Sequence, residues 1–232
     1  MSPSNSTIAF FGATGGCTNA CLAHTLRAGH HTVALARTPA KLTSQLLSQG
    51  LSPATLDTQL RIVQGDARPG GQPRLVEKIV SGIGGTLFLQ RKNSLVLRLT
   101  LDNPTITEDT TKALLTALRD IYARYPSLSS NNRNSKPLLT VISTTGLSKN
   151  PNDVPLLFRP MYHTLLAESS QRLFRGVIVV RPSLLIGDHS ITTGKWWRTL
   201  QIGTEEKPAV GYTARADVGE WIFEEVKVTL TS

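Results

Sequence analysis

Residues 7–16, Thr-Ile-Ala-Phe-Phe-Gly-Ala-Thr-Gly-Gly, constrain the fold of this chain more than any other stretch. A short apolar run with strand character passes straight into a glycine-rich turn, and a helical stretch bearing Ala and Leu follows over 19–28. A strand that turns directly into a helix presents the helix's free backbone N–H groups and the positive end of its dipole at the turn, an arrangement that suits a phosphate. Gly12 permits the tight turn, and Gly15 leaves room for a pyrophosphate to approach the backbone. The spacing is G-x-x-G, with Thr18 where a third glycine would sit.

The rest of the chain alternates strand and helix. The first helix, 18–28, stops at Gly29, and a strand follows at 32–36. Thr38-Pro39 opens a second helix to about Gln49, because Thr caps well and Pro suits the first helical position. Ser52-Pro53 repeats that signal before a third strand at 60–63, and Gly65-Asp66 follows it. A loop at 67–74 leads to a fourth strand at 78–82. The stretch 86–101 carries no clear assignment, although 95–101 alternates as an edge strand does. Thr105-x-x-Glu108 is a capping-box pattern for a helix reaching about Tyr125, with Leu114, Leu115, Leu118, Ile121 and Tyr122 on its apolar face. Residues 126–136 read as an exposed loop, 138–143 and 177–180 as strands, and 217–226 as a last amphipathic helix. Short apolar strands alternating with helices predict an α/β fold with a doubly wound parallel sheet covered on both faces.

At 232 residues and 40% hydrophobic content, the chain suits one domain with a well-filled core, taken as 1–232. The net charge of +9 comes from scattered residues without a basic run or a nucleic-acid motif, so it favours an anionic cofactor over nucleic acid. No segment approaches the ~20 apolar residues that span a bilayer. The polar, uncharged start from Ser2 to Ser6 does not read as a signal peptide. Cys17 and Cys21 lie one helical turn apart, where a disulfide would strain the helix. They read as reduced thiols in a cytoplasmic protein that pack as small residues, with a lowered pKa near the helix start as the reactive alternative. No His/Cys spacing completes a metal site.

Ligands of such sheets bind beyond the carboxyl ends of the strands, where the strand order reverses. In this reading Gly12, Arg37, Asp66, Ser81–Gly85, Ser143–Thr145 and Arg181–Ser183 all stand at those ends. A dinucleotide is therefore expected against Gly12, Ala13, Thr14, Gly15, Gly16 and Cys17, and further against Arg37, Lys41, Asp66, Ala67, Ser81, Gly82, Arg181 and Pro182. Sites for NAD often carry an acid at the end of the second strand for the ribose 2′-OH. Here that place holds Arg37, with Lys41 one turn on and no carboxylate from Ala36 to Gln49. A guanidinium fork matches a 2′-phosphate, so NADP(H) is the expected cofactor.

These residues resemble the atypical short-chain dehydrogenase/reductase proteins, particularly the NmrA-like NAD(P)-binding family. The matching pieces are 11–16, Ala28-Gly29-His30, 34–41, Gly65-Asp66, 142–146, Val180-Arg181-Pro182 and 215–219, in the family's order across almost the whole chain. The resemblance implies a Rossmann-like domain, bound NADP(H) and a small C-terminal substrate portion, here 183–215. It places Ser143 and Thr144 where the family binds its substrate, either to hydrogen-bond a carbonyl or to cap the strand end.

The chain departs from the wider superfamily's Tyr-x-x-x-Lys pair. Tyr162 is followed four residues later by Leu166, and no lysine lies between Lys149 and Lys195. Tyr162, Ser143 and Thr144 are the candidate catalytic residues, with Tyr162-His163 as a substitute acid pair. Lys195-Trp196-Trp197-Arg198 is either an aromatic lid or domain packing. Three functions follow from these residues: an NADPH-dependent reductase of a small organic molecule, a non-catalytic dinucleotide sensor, and a non-redox isomerase or cyclase using the same crevice.

Overall fold

The computed structural model describes residues 7–65, 76–84, 87–93, 96–101, 106–129, 136–143, 173–192, 200–204, 207, 209 and 211–228. The strands β1 (Thr7–Phe11), β2 (His31–Ala36), β3 (Leu60–Gln64) and β4 (Val76–Ser81) form the first part of the main sheet. Strands β5 (Leu87–Asn93) and β6 (Val96–Leu101) follow, then β7 (Leu138–Ile142) and β8 (Gly176–Val180). The main sheet has six strands in the order β3-β2-β1-β4-β7-β8, and every pairing within it is parallel. The order runs outward from β1 in one direction and from β4 in the other. The reversal between β1 and β4 is the point where such sheets open a ligand crevice.

Period-two burial fills both faces. Ile8 and Phe10 of β1 turn toward α1 (Gly16–Arg27) and α2 (Pro39–Ser48), meeting Leu22, Leu26, Leu42 and Leu46. The same core takes Leu56 of α3 (Pro53–Gln59) and Ile222 of α5 (Arg215–Val228). Ala9 and Phe11 turn the other way, toward Leu114, Leu115 and Leu118 of α4 (Ile106–Arg124). Two cores sandwich the sheet, which explains why its strands read as nearly continuous apolar runs.

Helices α1 and α5 cross closely, with small residues at the contact. A Cβ on Gly219 would fall 2.7 Å from Cys17 O and 2.8 Å from Cys21 N. Both cysteines are buried and unbonded to each other. Burial pushes the Cys17 thiol up to about 11, against a smaller lowering by Arg215, and the Cys21 thiol up to about 12. The helix-start lowering considered for Cys17 is overturned, because desolvation exceeds the favourable field there.

Several local expectations shift. Helix α1 begins at Gly16, with Gly15 as its cap residue. Ser52 caps α3 through Thr55 N at 3.1 Å, whereas Thr38 stands at the α2 cap position without a side-chain bond. Glu108 pairs with Lys112 one turn on, and Thr105 lies outside the described residues. The stretch read as an edge strand is β6, which joins β5 in an antiparallel two-stranded sheet separate from the main one. Pro126–Ser129, at the start of the expected loop, forms a short 3-10 turn. In the C-terminal portion β9 (Leu184–Ile186) and β10 (Tyr212–Ala214) pair in parallel. Among the described residues no helix is long and apolar enough to cross a membrane, and no His/Cys/Asp/Glu group is arranged to hold a metal.

Candidate dinucleotide site

The glycine-rich turn leaves β1 at Gly12, whose φ of +73° is left-handed. Gly15 N donates to Gly12 O at 2.8 Å, closing the turn, and Asn19 N donates to Gly15 O at 2.8 Å, starting α1. Gly12 needs its missing side chain for a second reason. A Cβ there would lie 2.8 Å from Gly82 O and 2.9 Å from Gly82 C, in the loop beyond β4. Gly82 N in turn donates to Phe11 O at 3.0 Å. The loops after β1 and β4 thus touch at the switch point, and Ser81 and Gly82 stand beside the turn as expected.

Thr18 faces that same loop. It is buried, and its side chain occupies the space a Cβ on Gly82 would need. The glycine missing from the motif at Thr18 is therefore matched by one at Gly82. Helix α1 has no side-chain cap at Gly15 and no acid in its first turn, so its N-terminal dipole is left for an anion. Of the expected turn contacts, Ala13 and Cys17 are buried into the core.

Arg37 and Lys41 are both exposed, one just beyond β2 and the other in the first turn of α2. Gly65 N reaches Ala36 O at 3.4 Å, so the ends of β2 and β3 stay together beneath them. Asp66, Ala67, Thr144 and Tyr162 lie outside the described residues, as do His163 and 195–198. Ser143 N donates to Val180 O at 2.8 Å, which holds the ends of β7 and β8 together and places half-buried Arg181 beside Ser143, with buried Pro182 following it. Ser143 Oγ is buried and has no hydrogen-bond partner among the described residues. A small cavity opens between α4 and the strands β1, β4 and β7, lined by Phe11, Ser81, Ile83 and Val141 and by Thr107 and Thr110 of α4.

Two features escape a sequence reading. Arg215, at the start of α5, lays its aliphatic chain on Gly16 and donates from Nη1 to Gly187 O at 2.6 Å. It brings a guanidinium beside the turn, and its only sequence signal is the 215–219 match. Lys78 is a buried lysine with its pKa lowered to about 8, by desolvation first and Arg175 second. It sits three residues before the carboxyl end of β4, roughly 10 Å down the strand from Ser81, so it does not replace the missing lysine.

No protein-family model matches the chain. Oxidase pynE of Aspergillus niger is 46% identical, over 97% of this chain and 94% of its own. Reductase pytE of Aspergillus terreus is 40% identical, over 97% of this chain and 92% of its own. The two alignments run to 269 and 255 residues, longer than this chain's 232, so both relatives contain internal stretches that it lacks. A putative NAD-dependent epimerase/dehydratase from Bacillus halodurans shares the fold, with a TM-score of 0.58 at 17% identity over 95% of this chain and 87% of that one. Gre2 of Candida albicans, solved with NADPH, has a TM-score of 0.50 at 15% identity over 93% of this chain and 72% of that one. The chain belongs to the same family as these two Aspergillus proteins, one named an oxidase and the other a reductase, and it has the Rossmann-like fold of short-chain dehydrogenase/reductase structures.

Proposed function

We propose that this chain binds NADP(H) at the glycine-rich turn and uses it to reduce a small organic molecule at the ends of β4 and β7. The observation that carries the cofactor choice is the exposed Arg37–Lys41 pair beyond β2, in a stretch without any carboxylate. Two cations there attract a 2′-phosphate, and nothing repels it. The turn fits the pyrophosphate: the helix end carries no side-chain cap, and Gly15 and Gly16 bring no side chain of their own to it. Bound there, the cofactor supplies a hydride.

The chain's own residues hold the acceptor. Ser143 Oγ is buried and has no hydrogen-bond partner among the described residues, so it is left for a bond from a ligand. It stands at the carboxyl end of β7, beside Arg181, where it can donate to a substrate carbonyl, with Thr144 next in the chain. Tyr162 is assigned the proton donor. With Leu166 in the usual lysine position, the lysine that stabilises the phenolate in the Tyr-x-x-x-Lys pair is missing, so Tyr162 is assigned to donate during reduction rather than to act as a base near neutral pH. The names of the two Aspergillus relatives, an oxidase and a reductase, support redox chemistry. The missing lysine supports one competitor, a non-catalytic dinucleotide sensor.

The test is NADPH consumption with a panel of aldehydes, ketones and enones, run for wild type and Tyr162→Phe. Reduction is expected to fall at least tenfold in the variant, with little alcohol oxidation by NADP⁺ at pH 7. Tight NADPH binding with no turnover across the panel would favour the sensor. Fast alcohol oxidation at pH 7 that survives Tyr162→Phe would contradict the assignment of Tyr162.

A further inference from the structure

A line of side-chain amides runs from the glycine-rich turn to the segment after β9. Asn19 Nδ2 donates to Ala13 O inside the turn at 2.7 Å. Asn19 Oδ1 accepts from Gln49 Nε2 at 2.6 Å, and Gln49 Oε1 accepts from Ile191 N at 3.2 Å. Gln49 Nε2 also reaches Gln45 O at 3.1 Å. Gln45 Nε2 in turn donates to Thr14 O at 3.4 Å and lies 3.5 Å from His189 Nε2. Asn19 and Gln49 are 0% and 1% exposed. At the start of the same segment, Gly187 O accepts from Arg215, whose chain covers Gly16. Residues 187–191 are thus tied to the turn near both ends.

An apolar core would fill this volume without direction. Amides do not, because each has distinct donor and acceptor ends and no water to fall back on. Gln49 donates on the side of the turn and accepts on the side of Ile191, so the chain of bonds closes in one arrangement only. Ala13, Asn19, Gln49 and the backbone of Ile191 are thus joined by consecutive hydrogen bonds.

We propose that Gln49 is a positioning residue that couples ligand binding at the glycine-rich turn to the placement of residues 187–191, so that a bound turn fixes this segment of the C-terminal portion. The proposal rests on the dinucleotide occupying the turn. Coupling is reciprocal, so loosening the segment weakens binding at the turn.

Hydrogen exchange on the full chain, with and without NADPH, tests it. In the wild type, NADPH is expected to slow exchange both at 12–19 and at Ile191. In Gln49→Met, which keeps the volume and removes all three side-chain bonds, protection at 12–19 is expected to remain while Ile191 stops responding. The NADPH dissociation constant should rise about three- to tenfold. Protection confined to 12–19 in the wild type would overturn the coupling and leave the cofactor reading standing. Unchanged affinity and unchanged Ile191 protection in a folded Gln49→Met would also overturn it. Should that variant fail to fold, the wild-type comparison decides alone. No NADPH binding to the wild type would overturn the cofactor reading and the coupling together.

Discussion

Thr18 shows how the motif tolerates its own exception. A threonine at the third-glycine position fills the space beneath the β4 loop, and the loop answers with Gly82, which has no side chain to displace. Substitution and compensation lie 64 residues apart in sequence, so only half of the exchange was legible there. The positions of Gly12, Arg37 and Lys41 were legible because they are set locally: a turn, a strand end, a helix start. Arg215, Gln45 and Gln49 were not, because they meet the turn only after α2 and α5 have packed. The cysteines bear a direct check. Their thiols are raised to about 11 and 12 by burial, so almost no thiolate exists at pH 8. The folded protein is expected to leave both unmodified by a thiol-reactive disulfide reagent at pH 8, with both reacting once urea unfolds it. Prompt native-state labelling of Cys17 would contradict its burial.

The contact between α1 and α5 is the element that holds the turn's helix in place. Gly219 lies against the backbone of Cys17 and Cys21, which cannot step aside as a flexible side chain can. Gly219→Ala gains about 1 kcal/mol of helix propensity but overpacks this crossing, which costs about 1–3 kcal/mol. A net loss of stability is expected, read as a lower urea midpoint. Along the same contact His24 stacks on Phe223 with ring centroids 5.9 Å apart. Burial first, and Arg27 second, lower its pKa to about 4. Below pH 6.5 the unfolded chain takes up a proton that the folded one refuses. The stability contribution of His24 is therefore present above pH 6.5 and is lost as pH falls toward 4. Between pH 7.5 and 5.0 the wild type should lose about 1–2 kcal/mol more than His24→Leu in urea titrations. The β5–β6 pair was missed at this scale. An alternating run shows that a strand forms, yet whether its partner is the main sheet or the neighbouring run depends on register and packing, which alternation does not encode.

Across the whole molecule, the sheet order, the switch point between β1 and β4, and the convergence of strand ends follow from the βα alternation, because right-handed crossovers leave few other topologies. The candidate site follows less completely: Gly12, Arg37, Ser81, Gly82, Ser143 and Arg181 stand at strand ends as expected, while Asp66, Ala67, Thr144 and Tyr162 fall outside the described residues. Cofactor choice in this chain of net charge +9 turns on whether the Arg37–Lys41 pair receives a 2′-phosphate. Titration calorimetry of NADPH and NADH against wild type and Arg37→Ala tests this most directly. Loss of a charge-assisted bond costs about 1.5–3 kcal/mol, so the variant should bind NADPH one to two decades more weakly and NADH almost unchanged. Equal losses for both cofactors, or a wild type that prefers NADH, would contradict it.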